Sequence, residues 1–227
     1  MFNILVVDDE KEIRDAIDIY LRGEQIKVIK AADGEEALEL LESNQIHLII
    51  LDVMMPKLDG IKTCLKIRES KNIPIIMLSA KSEDSDKILG LNVGADDYIS
   101  KPFNNLELVA RVKSQLRRYD KPLDIEDQGA VMVRDLVVDT LLKKITLRGE
   151  EVKVTATEYK ILYLLVSNLG RIFSIKEIYE KVWDEPFYKS ENTVTVHIRR
   201  IREKIEINTK EPEYIKVVWG IGYKIEK

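Results

Sequence analysis

The sequence contains one cysteine and no long apolar run. Cys64 is the single cysteine among 227 residues, which excludes an intrachain disulfide and suits a reducing compartment. The amino terminus lacks the basic segment and apolar stretch of a signal peptide. The most apolar stretches, HLIILDVMM and YKILYLLV, are too short to span a bilayer. We therefore expect a cytoplasmic protein that makes no membrane contact.

The sequence also lacks a large excess of charge of one sign. The net charge is −4, which by itself argues weakly against a nucleic-acid partner. Residues 189–227 nevertheless hold nine basic and six acidic residues, and four of the basic ones cluster at Arg199, Arg200, Arg202 and Lys204. A locally basic helix is typical of nucleic-acid binding even when the whole chain is slightly acidic.

The length favours two modest domains over one large domain. Across residues 1–119, short apolar runs alternate with amphipathic helical patterns such as Glu35–Leu41 and Leu106–Leu116. This alternation predicts an α/β domain with a five-stranded parallel sheet. The predicted strands are Ile4–Val7, Lys27–Ala31, Leu48–Leu51, Ile75–Leu78 and Asp97–Ser100.

A polar, aperiodic stretch at residues 120–128 predicts a linker, and residues 129–227 predict a second, α+β domain. Short strand-like runs occupy residues 130–154, and three helices follow at Thr155–Asn168, Ser174–Trp183 and Asn192–Ile205. The first two begin with Ser or Thr followed three residues later by Glu, the pattern of a capping box. The alternating residues around Gly220 and Gly222 predict a terminal hairpin.

Acidic, hydroxyl and basic side chains follow the predicted parallel strands at their carboxyl ends. Asp8 and Asp9 follow the first strand, Asp52 the third, Ser79 the fourth and Lys101 the fifth. Each of these residues taken alone is more often a helix cap, a turn residue or a surface lysine. Because ligands of open parallel sheets bind beyond these strand ends, their joint occurrence predicts one site.

Packed carboxylates repel one another unless a cation joins them, and Mg²⁺ prefers oxygen ligands. Asp9 and Asp52 can bind Mg²⁺ directly, Asp8 can bind it through water, and the Met54 backbone carbonyl can add an oxygen. With Mg²⁺ present, Asp52 can attack a phosphoryl group and form an aspartyl phosphate. The positive charge of Lys101 would offset charge on the phosphoryl oxygens.

The motifs VVDDE, LDVMMPKLDG, MLSA and GADDYISKPF resemble the receiver domain of two-component response regulators over residues 3–119. The resemblance implies a flavodoxin-like fold and a sensor histidine kinase as phosphodonor. It also implies that Asp52 accepts phosphate, that Asp8 and Asp9 hold the metal, and that the bond between Lys101 and Pro102 is cis. Ser79 stands where threonine is commoner, but either hydroxyl can reach a phosphate oxygen.

The same resemblance implies how the signal leaves the phosphorylation site. Ser79 and Tyr98 correspond to the hydroxyl and aromatic pair that transmits the switch. The surface around the fifth strand and its neighbouring helices corresponds to the dimer face of the OmpR/PhoB family, so we expect phosphorylation to promote a homodimer. The expected pairs across the twofold axis are Lys87 with Glu107, Asp97 with Arg111, and Asp96 with Arg118.

The segments VTATEYKILYLL, FSIKEIYEKVW, TVTVHIRRIREKI and IKVVWGIGYKIE resemble the winged helix-turn-helix effector domain of the OmpR/PhoB family. The resemblance implies that promoter DNA, arranged as direct repeats, is the ligand. Residues 184–191 correspond to the family's RNA polymerase contact loop. The DNA-contacting residues expected are Thr193, Val196, His197, Arg199, Arg200, Lys216, Trp219 and Lys224.

Within that set, Arg200 and Val196 are expected to face bases, Thr193 a base or phosphate, and His197 and Arg199 phosphates. Trp219 stands where most relatives carry a wing arginine, and some VanR-like members share the Val-Trp-Gly sequence at this position. These correspondences predict a response regulator that controls transcription and has no enzymatic activity beyond its own phosphorylation.

Two other functions compete with a DNA-binding regulator. A Mg²⁺-dependent phosphatase with an aspartyl nucleophile usually carries a second acid two residues after the nucleophile, where this chain has Met54. The second alternative is a receiver domain joined to a protein-interaction module, which a mobility-shift assay with promoter DNA would distinguish.

Overall fold

The computed structural model describes residues 1–23, 25–80, 93–120, 129–184, 186–187 and 191–226. The chain divides into two compact units, Met1–Lys121 and Pro122–Lys227. All but the first residue of the predicted linker at 120–128 lie outside the described ranges. None of the helices in those ranges combines the length and the apolarity needed to cross a lipid bilayer.

Five parallel strands form the sheet of the first unit, in the order β2-β1-β3-β4-β5. This sheet and its helices confirm the predicted flavodoxin-like fold. All five residues of β3 are buried because helices cover both faces of the sheet. The strands are β1 Phe2–Val7, β2 Ile26–Ala31, β3 Leu48–Asp52, β4 Ile75–Ala80 and β5 Asp97–Lys101.

The described helices of the first unit pack in pairs, α1 with α4 and α2 with α3. Their bounds are α1 Lys11–Tyr20, α2 Gly34–Ser43, α3 Gly60–Ser70 and α4 Asn105–Asp120. Ile17 and Leu108 join alternate strand residues such as Ile4, Val6 and Ile50 in one buried cluster. The two patterns predicted at Glu35–Leu41 and Leu106–Leu116 lie inside α2 and α4.

The second unit contains an antiparallel sheet, three helices and a hairpin. The sheet strands are β6 Ala130–Val133, β7 Leu136–Asp139, β8 Lys144–Leu147 and β9 Glu150–Glu151. The helices are α5 Ala156–Val166, α6 Ile175–Trp183 and α7 Glu191–Ile205. The hairpin strands are β10 Ile215–Val218 and β11 Gly222–Ile225. A three-helix core with a terminal hairpin is the predicted winged-helix arrangement.

Both predicted capping boxes are confirmed, and they set where α5 and α6 begin. Thr155 and Glu158 cap α5 reciprocally, and Ser174 and Glu177 do the same for α6. Each box satisfies two backbone N–H groups that the first helical turn leaves without partners. The three helices pack against one another around a common apolar core.

A short antiparallel bridge attaches the hairpin to the segment before α6. The backbone N–H groups of Phe173 and Tyr223 each donate to the other's carbonyl at 2.9 Å. A Cβ at Gly222 would lie 1.9 Å from the Phe173 carbonyl oxygen, so this close approach requires glycine. The hairpin is therefore anchored at its base.

Candidate functional site

The three predicted acidic residues meet at the carboxyl edge of the parallel sheet. Asp52 ends β3, while Asp8 and Asp9 directly follow β1. Carboxylate oxygens of the three residues all lie within 4.8 Å of one another. Asp8 and Asp52 are buried and Asp9 is exposed. The site thus offers oxygen ligands on one open side, which fits a hard divalent cation.

Lys101 brings positive charge to the same place from the end of β5. Its Nζ lies 2.8 Å from Asp8 Oδ2 and 3.2 Å from Asp52 Oδ2. Burial disfavours the charged amine, but the hydrogen bond to Asp8 and the charge of Asp52 outweigh burial and raise the pKa of Lys101. Lys101 is therefore a fixed cation beside two carboxylates.

Burial dominates the acid–base behaviour of Asp52. Removal from water raises the pKa of its carboxyl group from 3.8 to about 6, against the lowering effect of Lys101. The charge of Asp8 adds to the increase, and a hydrogen bond from the Met54 backbone opposes it. An ionised Asp52 is thus costly in the cation-free protein and would gain from a bound cation.

The remaining predicted residues of this site occupy the neighbouring strand ends. Ser79 is buried near the end of β4 and is paired in register with Ser100 of β5. Tyr98 is a buried residue of β5. The Met54 side chain is exposed in the loop after β3, and the bond between Lys101 and Pro102 is cis.

Glycine permits the loop after β3 to return to the site. The backbone N–H of Gly60 donates to the Val53 carbonyl at 3.1 Å. A Cβ at Gly60 would lie 2.0 Å from the carbonyl oxygen of Asp52. The side chain of Asp59 accepts from the Lys62 backbone at 2.8 Å and begins α3 at this point.

The predicted dimer pair of Asp97 and Arg111 forms within the chain. Arg111 Nη1 lies 2.8 Å from Asp97 Oδ1, and Nη2 lies 3.0 Å from Glu107 Oε1. Asp97 and Arg111 are buried, whereas Glu107 remains exposed. Because β5 and α4 are adjacent in the fold, Asp97 and Arg111 form an ion pair within one chain.

Asp96, a predicted dimer residue, has partners within the receiver domain. Its carboxylate is buried, 2.8 Å from Arg68 Nη2, and it accepts from the Ile75 backbone at 3.1 Å. These contacts fix the segment before β5 inside its own domain, and the pairing of Asp96 with Arg118 of a second chain stays a prediction. Lys87 lies outside the described residues, as does the side chain of Arg118.

The predicted DNA-reading helix, α7, turns most of the proposed contacts inward. The side chains of Thr193, Val196, His197 and Arg200 are buried. His197 is fully buried, with its ring centroid 5.5 Å from that of Trp183, and the phosphate contact expected of it stays a prediction. Arg200 pairs with Glu158 at 2.9 Å instead of projecting outward.

Arg199 is the predicted contact that does project from α7, where it pairs with Glu203 at 2.9 Å. One turn earlier, Thr195 is also exposed, and sequence reasoning missed it. The apolar period of Val194, Ile198 and Ile201 locates one buried face. It does not reveal the additional neighbours that bury the positions beside that face.

Two side chains near the end of α7 hold the first strand of the hairpin. Arg202 donates to the Ile215 carbonyl through Nη2 at 2.7 Å. Glu206 accepts from the backbone N–H groups of Glu213, Tyr214 and Ile215 at 2.6–3.2 Å. The backbone N–H and the carbonyl of Ile215 are therefore both bound by side chains near the end of α7. These bonds fix the position of the hairpin relative to α7.

The tip of the hairpin exposes a large aromatic side chain. Trp219 is 88% exposed beside Gly220, whose φ of 73° suits glycine. Lys216 and Lys224 are opposite each other in the hairpin and half-buried. Lys224 pairs with Glu226 at 2.6 Å. The hairpin thus presents one exposed aromatic ring at its tip and two half-buried lysines along its strands.

Comparison with protein families assigns both units. Residues 4–113 match the response regulator receiver domain. Residues 149–225 match the carboxyl-terminal domain of transcriptional regulatory proteins. The acidic site and the winged helix therefore belong to one class of protein, in which a receiver domain is joined to a DNA-binding domain.

Full-length relatives share this organisation. Regulatory protein VanR of Enterococcus faecium is 46% identical over 99% of this chain and 98% of its own length. Regulatory protein VanRc of Enterococcus gallinarum is 44% identical over 99% and 98%. The crystal structure of DrrB, a Thermotoga maritima OmpR/PhoB homologue, is 33% identical with a TM-score of 0.53 and full coverage of both chains.

The chain belongs to the OmpR/PhoB family of two-component response regulators. It is a response regulator transcription factor with a receiver domain and a winged-helix domain. The family relationship implies a kinase partner and promoter DNA as ligand.

Proposed function

We propose that Asp52 is the phosphoacceptor and that its phosphorylation controls promoter binding by the winged-helix domain. The observation that carries this proposal is the convergence of Asp8, Asp9, Asp52 and Lys101 at one sheet edge. Mg²⁺ is the proposed cofactor, held by the three carboxylates and the Met54 carbonyl. The ion would neutralise negative charge on the carboxylate oxygens and on the oxygens of an incoming phosphoryl group.

Phosphoryl transfer requires a nucleophilic oxygen and a place for three phosphoryl oxygens. An Asp52 oxygen forms the new P–O bond while the P–N bond to the histidine of the sensor kinase breaks, and that histidine leaves with the electron pair. The Lys101 ammonium group and the Ser79 hydroxyl donate to phosphoryl oxygens. Tyr98 responds to the Ser79 movement and passes the change to the surface around β5.

Replacement of Asp52 by asparagine tests the acceptor. With Mg²⁺ and labelled acetyl phosphate, we expect the full-length wild-type chain to become labelled and Asp52→Asn to remain unlabelled. Asp59→Asn is the matched control, since asparagine preserves the α3 cap at a carboxylate outside the acidic cluster. Undiminished label on Asp52→Asn would contradict the proposal.

On the DNA side, we propose that the exposed face of α7 enters the major groove. Arg199 would hold a phosphate, Thr195 would lie toward the groove, and Thr193 and Val196 would border it. Lys216, Trp219 and Lys224 would contact the adjacent backbone through the hairpin. Binding-site sequencing on genomic DNA with and without phosphodonor tests this role and the expected direct-repeat sites.

The remaining partners follow from this regulator role. We propose a cytoplasmic protein whose receiver forms a homodimer after phosphorylation through the surface of β5 and α4. RNA polymerase would be contacted through the segment 184–191, of which residues 185 and 188–190 lie outside the described ranges. The boundary between the domains is proposed at residues 120–128.

A further inference from the structure

Glu158 caps the start of α5 with a side chain that is charged as well as buried. Its Oε2 accepts from the Thr155 backbone at 2.8 Å and completes the capping box. Its side chain is fully buried, yet it carries a carboxylate. A capping box needs only an acceptor atom, which glutamine supplies equally well. The negative charge of Glu158 is therefore not explained by the cap.

The charge of Glu158 faces two cations of α7. Arg200 Nη2 lies 2.9 Å from Oε1, and Lys204 Nζ lies 2.6 Å from Oε2. Positions 200 and 204 are one helical turn apart and share a face. One carboxylate thus holds two members of the basic cluster that distinguishes this helix.

The contact between Glu158 and Arg200 is close but poorly aligned. Among the described residues, Oε1 of Glu158 has no partner with hydrogen-bond geometry despite the 2.9 Å separation. Lys204 keeps 31% of its side chain exposed. A phosphate or base acceptor can compete for such cations more easily than for a fully aligned bidentate pair.

We propose that Glu158 is a specificity-determining residue whose carboxylate competes with DNA for Arg200 and Lys204. On random DNA the two cations stay with Glu158 and add little to the affinity. At a cognate site, both cations bind DNA only where the free energy of their DNA contacts exceeds that of the ion pairs with Glu158. This inference rests on the proposed DNA binding by α7.

The opposite role makes the opposite prediction. If Glu158 instead held Arg200 in place to read a base, removal of its charge would weaken binding to the preferred sites and leave random DNA unaffected. Competition predicts stronger binding to random DNA. The sign of one measured change therefore separates the two roles.

The variant Glu158→Gln keeps the capping acceptor and removes the charge. Glu177→Gln is the matched control, because Glu177 completes the same box at α6 but its carboxylate faces Arg171 at 3.4 Å rather than α7. The probe is a random-sequence DNA duplex, with full-length protein and fluorescence anisotropy across a salt series.

For Glu158→Gln we expect several-fold tighter binding to the random duplex than for wild type. The slope of log affinity against log salt should become steeper by about 0.9 for each cation released to a phosphate. Glu177→Gln should match wild type in both quantities. Unchanged or weaker binding by Glu158→Gln, with an unchanged slope, would overturn the inference.

A second comparison applies even if Glu158→Gln fails to fold. In the wild-type background, Lys204→Gln should change the random-duplex salt slope by much less than Arg199→Gln, because Lys204 is held by the buried Glu158 whereas Arg199 pairs only with the exposed Glu203. Equal losses for the two variants would refute competition. If the wild-type chain binds no duplex at all, the proposed function fails as well, which distinguishes that failure from a failure of the inference alone.

Discussion

The buried carboxylate of Asp52 links pH to stability in the cation-free protein. Its folded pKa is about 6, above the ordinary value of 3.8. Between these values the folded chain binds more protons than the unfolded chain at this position. The contribution of Asp52 to the free energy of unfolding therefore falls as pH rises from about 4 through 6. Above about pH 6 Asp52 is ionised in both states, and its burial lowers the free energy of unfolding by a constant amount.

We accordingly predict that Asp52→Asn is more stable than wild type in EDTA at pH 7.5. The difference should shrink as pH falls from 6 toward 4, because the folded group becomes protonated and the penalty for burying its charge disappears. Urea unfolding at several pH values measures this. Asp59→Asn should show no such gain, since the Lys62 backbone hydrogen bond lowers the pKa of Asp59 and favours its charge. An Asp52→Asn variant no more stable than wild type at pH 7.5 would argue against the burial penalty.

At the scale of the element, α7 separates its cations by direction. Arg199 projects into solvent, Arg200 turns toward α5, and Arg202 turns toward the hairpin. Three arginines of one basic segment thus have different neighbours, although they look alike in the sequence. Arg199 can meet a phosphate by giving up only an exposed ion pair with Glu203, whereas Arg200 would have to leave the buried Glu158.

From this arrangement we predict that Arg199→Ala weakens cognate and random DNA alike. Loss of one phosphate contact should flatten the salt slope by about 0.9, as measured by anisotropy titrations at several salt concentrations. The control is Arg148→Ala, which removes an exposed arginine from the turn between β8 and β9. A loss confined to the cognate sequence would instead assign Arg199 to base reading.

For the whole molecule, the proposed dimer must use charges that the fold leaves available. Arg111 is buried and paired with Asp97, so its reversal would disturb the receiver itself. Glu107 lies in the first turn of α4 with 47% of its side chain exposed. It is therefore the better position at which to test the proposed face.

We predict that Glu107→Lys reduces the dimer formed by the full-length chain with Mg²⁺ and beryllofluoride. Charge reversal would place like charges at the twofold interface, where each contact occurs twice. Sedimentation velocity measures the monomer and dimer fractions. Glu42→Lys, an exposed reversal in α2, is the control and should dimerise as wild type does. Equal dimer fractions for both variants would exclude this face.

The sequence by itself determined the fold class, the two capping boxes and the acidic cluster at one sheet edge. These features are readable because their causes are local. Strand and helix periods, cap spacing and the position of a residue after a strand each depend on a few neighbouring residues. The rule that parallel strands end at one edge then brings Asp8, Asp52 and Lys101 together.

Only the tertiary structure decided where the charged side chains of each domain point. Periodicity located the apolar face of α7, but Trp183 and Glu158 lie far away in the sequence and bury His197 and Arg200 beside that face. The pairs of Asp96 with Arg68 and Asp97 with Arg111 likewise arise between elements that are adjacent only in the fold. A side chain's exposure depends on everything packed around it, and that information is not contained in its own helix or strand.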